Sequence, residues 1–186
     1  AKPKIVLIPG DLTKDGELVN HVTMRNLLQR LRDEGIKVLV IPGNHDINNP
    51  EALSFKSEPP SPVASVTPEE FAEIYRDFGY KNALYRDENS LSYVSHPFYK
   101  LWILAIDACK YTNNVGTSDV SGAIKPATME WIKDIMEKAR EKDITVLAMM
   151  HHGVMQHYSL QNSLDPGYVI DNWQENAAAL ANAGIK

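Results

Sequence analysis

The sequence predicts an α/β fold with mixed β-sheets and flanking helices. One pattern behind this prediction is a strand, a helix and a strand in succession, over residues 5–8, 18–31 and 37–41. Such a βαβ unit brings its two strands together in parallel through a right-handed crossover. A second pattern is an antiparallel hairpin, predicted by an alternating run at 91–95 and a continuous apolar run at 101–106. The hairpin indicates a second sheet, so that parallel and antiparallel pairing occur in one domain.

Both strands of the βαβ unit end at a Pro-Gly turn. The first strand runs into Pro9-Gly10 and the second into Pro42-Gly43. Asp11 and Asn44 are the first residues past these turns. We expect both at the carboxyl ends of neighbouring parallel strands, which is the edge where open α/β sheets usually bind ligands.

The remaining elements follow from local sequence signals. Thr67-Pro68-Glu69-Glu70 is a capping box with proline at the first helical position, and it predicts a helix that runs to Gly79. The stretch before it, 48–67, is rich in Pro, Ser and Asn and predicts a long surface loop. Apolar periodicity predicts two further helices, at 126–142 and 174–183, and a strand at 145–150.

Composition excludes several functional classes. The 186 residues, 44% of them hydrophobic, suffice for one domain with a sizeable core. The formal net charge is -5 and no basic block occurs, which disfavours nucleic-acid binding. The single cysteine, Cys109, excludes a disulfide framework within the chain and is predicted to be a small buried side chain. No apolar run approaches the ~20 residues that span a bilayer, so we expect a soluble protein, with any N-terminal leader lying before Ala1.

Polar residues at the strand ends carry the predicted chemistry. Gly43-Asn44-His45-Asp46 places three polar side chains in succession after a buried strand, an arrangement that core packing does not explain. Asp11 and His151 follow two other strands. A carboxylate can bridge two cations, an amide oxygen is a neutral hard ligand, and an imidazole is a borderline one. Asp11, Asn44 and His151 together therefore suit Mn²⁺, Fe or Zn²⁺.

The order of these motifs resembles that of calcineurin-like metallophosphoesterases. The resemblance rests on Gly10-Asp11, Gly43-Asn44-His45-Asp46 and His151-His152, each directly after a predicted strand. It covers essentially the whole chain, including Trp131 in the helix before the His-His strand. The resemblance implies a two-sheet mixed β sandwich flanked by helices, in α-β-β-α layers.

The resemblance also implies a role for each site residue. Asp11 would bridge two metal ions, and Asn44 and His151 would bind the second of them. His45 would face the substrate phosphate and stabilise or protonate the leaving oxygen, with Asp46 orienting it. Two cations about 3.5–4 Å apart can clamp a phosphate and activate a bridging water for in-line attack.

The chain departs from the family pattern at both ends. The first family motif, Asp-x-His, and the last, Gly-His-x-His, occur nowhere in residues 1–186. We therefore expect one domain over 1–186 that is truncated before its first motif and after its last. In such a chain the first metal keeps only Asp11 as a ligand. We expect the intact domain to hold two divalent ions, and the chain by itself to load metal weakly and to be inactive.

The histidines leave alternatives open. His151 directly follows its strand, which favours it as the ligand and leaves His152 to support the ligands or to face the phosphate, but a one-residue bulge would exchange the two. His157 is a plain loop residue or lines the pocket. His21, in mid-helix, is interpreted as solvated, and His96, before a proline, as part of the hairpin turn.

Loop position suggests a few further candidates. Asp107 ends an apolar strand and either orients a ligand or lies away from the metals. Tyr111, Asn113 and Asn114 follow it in a loop and are candidates for the substrate pocket.

The sequence thus predicts a metal-dependent hydrolase of phosphomonoesters or phosphodiesters. Small or lipid-like phosphoesters are favoured over nucleic acid, because the chain is acidic and lacks a basic groove. The alternative is a non-catalytic module that keeps the fold and binds a partner protein. Intact Asp-x-His and Gly-His-x-His motifs in the flanking sequence would favour the enzyme.

Overall fold

A computed structural model describes residues 2–185, apart from the side chain of residue 166. Its strands and helices are, in chain order, β1 (Ile5–Pro9), α1 (Leu18–Asp33), β2 (Lys37–Ile41), β3 (Leu53–Ser54), β4 (Ser61–Pro62), α2 (Pro68–Ile74), β5 (Tyr85–Arg86), β6 (Tyr93–Phe98), β7 (Leu101–Ile106), α3 (Pro126–Glu141), β8 (Thr145–Met150), α4 (Gln161–Leu164) and α5 (Trp173–Ala183). Short 3₁₀ helices lie at Arg76–Phe78, Tyr111–Asn113 and Pro166–Tyr168. The protein is thus a mixed α/β fold, as predicted.

The predicted βαβ unit is present. β1 and β2 pair in parallel and in register over their whole length. The connecting helix α1 is followed by Gly35, whose φ of 79° ends the helical backbone. The parallel pairing places Asp11 and Asn44 past the same edge of this two-stranded sheet.

The second sheet has the strand order β5-β6-β7-β8 and is mixed. β6 and β7 form the predicted antiparallel hairpin, while β8 pairs with β7 in parallel. β6 continues to Phe98, so the prediction that His96 lies in the hairpin turn is wrong. The register shifts between Ser95 and Phe98, and this irregularity accommodates Pro97, which has no N–H to donate to a ladder.

Side chains from the two faces of the second sheet enter two hydrophobic cores. One face carries Tyr93 and Ile103 into a core that also contains side chains of β1, β2 and α2. The other face carries Trp102 and Leu104 into a core with α3 and α5. Because both faces of the sheet are buried, β7 and β8 are held in place, and the loops that follow them begin at a fixed edge of the sheet.

The interpretation of His21 as solvated is wrong, since its side chain is 0% exposed. Its Nδ1 lies 3.0 Å from the Tyr75 hydroxyl, and its Nε2 lies 2.8 Å from the carbonyl oxygen of Asp46. The rings of Phe71 and Tyr75 pack against it edge-on. Burial of a polar ring is tolerated because both nitrogens have partners.

The other elements differ from prediction mainly at their ends. The capping box is present: the Thr67 hydroxyl accepts from the Glu70 N–H at 3.2 Å, and the Glu70 carboxylate accepts from the Thr67 N–H at 2.8 Å. The helix it starts ends early, at Ile74, and a 3₁₀ turn continues towards Gly79. The loop at 48–67 contains the short β3-β4 hairpin. No helix within residues 2–185 is both long and apolar enough to cross a membrane.

Candidate active site

Glycines bring the loops after β1 and β2 into contact. Gly10 has a φ of 95°, and a Cβ on it would lie 2.4 Å from the nitrogen of Gly43. A Cβ on Gly43 would lie 2.2 Å from Oδ1 of Asp11. Because only glycine leaves room for this approach, the Asp11 carboxylate can lie against the second loop, where the His45 N–H donates to it at 3.4 Å.

His151 reaches both loops from the end of β8. Its Nδ1 lies 2.8 Å from the carbonyl oxygen of Pro9, which can only accept, so Nδ1 carries the proton of the neutral ring. Its Nε2 lies 3.0 Å from Oδ1 of Asn44 and 3.5 Å from Oδ1 of Asp11. In this tautomer three atoms with free lone pairs converge and no proton lies between them. A cation at their centre would satisfy all three.

The donor set fits one divalent metal ion. It combines a carboxylate oxygen, an amide oxygen and an imidazole nitrogen, which suits Mn²⁺, Fe or Zn²⁺. Across residues 2–185 no three or more His, Cys, Asp or Glu residues are grouped to hold a metal. The present site has two residues of those types, Asp11 and His151, and Asn44 supplies the third donor. For a second ion the described residues at this edge offer only Asp11.

His45 lies at the mouth of the site beside a buried carboxylate that sequence reasoning missed. Its side chain is 38% exposed, and its Nδ1 lies 3.5 Å from Oδ1 of Asp15, which is buried. Asp15 also accepts from the Asn49 side-chain amide at 3.4 Å. Its position four residues after Asp11, in the same strand-end loop, is the signal that could have identified it.

Asp46 does not orient the His45 ring in this structure, contrary to the predicted contact. Its two carboxylate oxygens accept from the backbone N–H groups of Gly43, Leu12 and Thr13, at 2.8, 3.1 and 2.9 Å, and from the Thr13 hydroxyl at 2.9 Å. Burial raises the pKa of Asp46, although these hydrogen bonds favour its charged form. Asp46 therefore ties the two ligand-bearing loops together, and its part in catalysis stays a prediction.

His152 packs behind His151 and is buried. The two imidazole rings lie edge to face at 4.8 Å, and Nε2 of His152 lies 3.2 Å from the carbonyl oxygen of Val120. A Cβ on Gly122 would lie 2.6 Å from the His152 ring, so this close packing needs glycine there. Burial, together with the neighbouring His151, lowers the pKa of His152 to about 4. Of the two histidines it is His151 that faces Asn44 and Asp11, while the ligand assignment itself stays a prediction.

Sequence comparison identifies the family. The model of the calcineurin-like phosphoesterases matches residues 1–178, a span that includes all three motif-bearing loops. The chain belongs to the calcineurin-like phosphoesterase family. Members of this family are in general metal-binding hydrolases that act on ester bonds. A comparison with curated proteins gave no match.

The phosphoesterase site opens into a cavity of about 540 Å³. It is lined by Asp11, Asn44, His45, Val120, His151, His152, Leu164, Asp165, Gly167 and Tyr168. His45 and the three candidate ligands thus face one shared space. The rest of the lining, from Val120, Leu164, Asp165, Gly167 and Tyr168, carried no motif and was missed by sequence reasoning.

Other candidates of the phosphoesterase domain contribute to its packing. Asp107 is buried and accepts from the backbone N–H groups of Leu91 and Cys109, both at 3.0 Å, and from the Tyr111 hydroxyl at 2.7 Å. Cys109 is buried, as predicted. The donors to this carboxylate are backbone and tyrosine groups away from the candidate ligands. Asp107 therefore lies away from the proposed metal site and does not orient a ligand.

The loop candidates lie outside the cavity. Asn113 and His157 are exposed, and Asn114 donates to the carbonyl oxygen of Asn48 at 3.1 Å, which ties the loop after β7 to the loop after β2.

Proposed function

We propose that the protein is a metal-dependent phosphoester hydrolase in which Asp11, Asn44 and His151 hold one divalent ion and His45 faces the phosphate. The single observation that carries this proposal is the convergence of three lone-pair atoms, with the Nε2 of His151 at 3.0 Å from Asn44 and 3.5 Å from Asp11. Membership of a family of ester hydrolases makes a phosphoester the substrate to test.

The chain's own residues already orient two of the proposed ligands. The Pro9 carbonyl fixes the His151 tautomer and ring orientation, which is the usual task of a group behind a metal-bound imidazole. The paired glycines hold the Asp11 carboxylate against the second loop. When bound, divalent ions polarise phosphate oxygens and lower the pKa of coordinated water.

His45 is placed to serve the leaving group. Its side chain is partly exposed and lines the cavity, while Asp15 lies against its Nδ1. A carboxylate beside Nδ1 can orient the ring and leave Nε2 free to face a phosphate oxygen. We therefore assign the orienting role to Asp15 in place of Asp46.

The finer features of the proposal follow the family. We propose a dinuclear centre in which Asp11 would be a ligand of both ions, with Mn²⁺, Fe or Zn²⁺ as the metals, within a two-sheet sandwich. Among the described residues, Asp11, Asn44 and His151 would hold one of these ions, and Asp11 alone is proposed for the other. Small or lipid-like phosphoesters are the proposed substrates, because the chain carries a net charge of -5.

Hydrolysis of bis(p-nitrophenyl) phosphate and p-nitrophenyl phosphate with Mn²⁺ tests the proposal. The assay uses a protein that contains this chain together with whatever its gene encodes on either side. We expect turnover that Asn44→Ala and His45→Ala each abolish, whereas the control His157→Ala, at an exposed residue outside the cavity, retains it.

The variants also separate binding from chemistry. His45→Ala should still bind Mn²⁺, because His45 is not among the three donors, whereas Asn44→Ala should bind it much more weakly. A protein that binds no divalent ion and hydrolyses neither ester would contradict the enzyme and support the non-catalytic partner-binding module.

A further inference from the structure

The cavity has two chemically different walls. The ligand wall carries Asp11, Asn44 and the histidines. The other wall, here called the apolar wall, consists of Val120, Leu164, Gly167 and Tyr168. Its large side chains are strongly exposed, at 52% for Val120 and 68% for both Leu164 and Tyr168. Apolar side chains that face a cavity next to a reactive centre are the usual means of holding the apolar part of a substrate.

The apolar wall is attached directly to the ligand wall. The N–H of Gly153, two residues after His151, donates to the carbonyl oxygen of Tyr168 at 3.0 Å. A Cβ on Gly167 would lie 2.7 Å from Cγ2 of Val120, so the two segments of the wall pack tightly at this glycine. The position of the wall relative to the candidate ligands is therefore set by backbone contacts.

The charges in the cavity discriminate between classes of ester. Among the described residues that line it there is no lysine or arginine. Apart from the ligand wall, the one charged side chain among these described lining residues is the Asp165 carboxylate, which accepts from the Tyr158 hydroxyl. A second anionic group on a substrate would meet this carboxylate with no cation to pair with, and an unpaired charge is costly to desolvate.

We propose that the site selects phosphodiesters whose second ester group is uncharged and apolar, and that Leu164 and Tyr168 determine this preference. The proposal rests on the proposed function, since it takes the phosphate to lie at the divalent ion that Asp11, Asn44 and His151 would hold. An aryl or alkyl group on the phosphate then lies against the apolar wall. Phosphomonoesters and polyphosphates lose this contact and bring extra negative charge towards Asp165.

Binding of two unreactive monoanions tests the proposal without depending on turnover. Diphenyl phosphate and dimethyl phosphate carry the same charge and differ in apolar surface. We expect the Mn²⁺-loaded protein to bind diphenyl phosphate about tenfold more tightly by calorimetry, as is usual for an apolar group in a partly open pocket. Leu164→Ser and Tyr168→Ser should reduce the ratio to about one and leave the affinity for dimethyl phosphate almost unchanged, because neither change adds a charge and both remove apolar surface that only the larger ester would contact.

The control is Leu27→Ser, at an exposed leucine on α1 outside the cavity, which should retain the full preference. Equal affinity for the two esters, or a preference that survives both wall variants, would overturn this inference and leave the proposed function standing. Failure of Mn²⁺-loaded protein to bind either ester would contradict the proposed function itself, and with it this inference.

Discussion

The loop Gly43 to Asp46 contacts one histidine on each of its two sides, and the two imidazole rings carry their proton on different nitrogens. On the inner side, His21 pairs Nε2 with the Asp46 carbonyl and Nδ1 with the Tyr75 hydroxyl, so both nitrogens have a partner. On the outer side, His151 pairs Nδ1 with the Pro9 carbonyl and turns a bare Nε2 towards two further acceptors. A satisfied ring stabilises the fold, whereas an unprotonated nitrogen among acceptors is prepared for a cation.

The largest expected effect is on the outer side. His151→Ala and Asn44→Ala each remove one of three donors, so each should weaken Mn²⁺ binding by more than about 100-fold, since even the partners behind metal ligands cost about 10–100-fold. Calorimetric titration measures this, with His157→Ala as the control. Binding within about threefold of wild type in either variant would show that the metal does not lie at these atoms.

The next largest effect is on the inner side. His21→Ala empties a fully buried position and leaves the Tyr75 hydroxyl and the Asp46 carbonyl without partners, so the free energy of unfolding should fall by about 2–4 kcal/mol. Urea unfolding measures it, with His96→Ala, at an exposed histidine of β6, as the matched control. Equal stability of the two variants would mean that His21 contributes nothing to holding the loop.

A smaller effect separates the two buried carboxylates of the site. Asp15→Asn should lower kcat about tenfold and leave the melting temperature almost unchanged, because it removes a charge beside the His45 ring. Asp46→Asn should instead lower the melting temperature, because an amide cannot accept the four hydrogen bonds that the carboxylate receives. The opposite pattern would return the orienting role to Asp46.

The smallest effect is a pH dependence of stability. Burial lowers the pKa of His21 from its ordinary value of 6.5, although its contact with Asp46 opposes the shift. The unfolded chain then binds a proton that the folded chain does not, so the free energy of unfolding should fall as pH drops below about 6.5. Comparing wild type with His21→Gln at pH 7 and pH 5.5 isolates this contribution. An unchanged pH dependence in the variant would show that His21 is not its source.

Sequence reasoning could place the residues of the outer side at strand ends. Strands and the turns that end them are encoded locally, so Asp11, Asn44 and His151 could be placed at strand ends before any contact was known. Parallel pairing then brings such ends together, as the register of β1 and β2 shows.

The inner side could not be predicted, because it depends on contacts between distant segments. His21 meets Tyr75 across 54 positions and Asp46 across 25, and nothing in the local pattern of α1 shows these partners. The choice between Asp15 and Asp46 as the partner of His45 likewise depends on how two loops pack. Leu164, Gly167 and Tyr168 of the apolar wall lie on short α-helical and 3₁₀ turns, which leave no periodicity to detect, and Val120 lies in a loop.

The most direct test of the central claim is nitrogen NMR of the imidazole rings during a titration with Zn²⁺. The structure requires His151 as the Nδ1–H tautomer and His21 as the Nε2–H tautomer, each held by a backbone carbonyl. We expect Zn²⁺ to shift the Nε2 resonance of His151, to preserve its Nδ1 proton, and to leave His21 unchanged. A His151 ring protonated at Nε2, or one whose Nε2 resonance does not respond to bound Zn²⁺, would contradict the account.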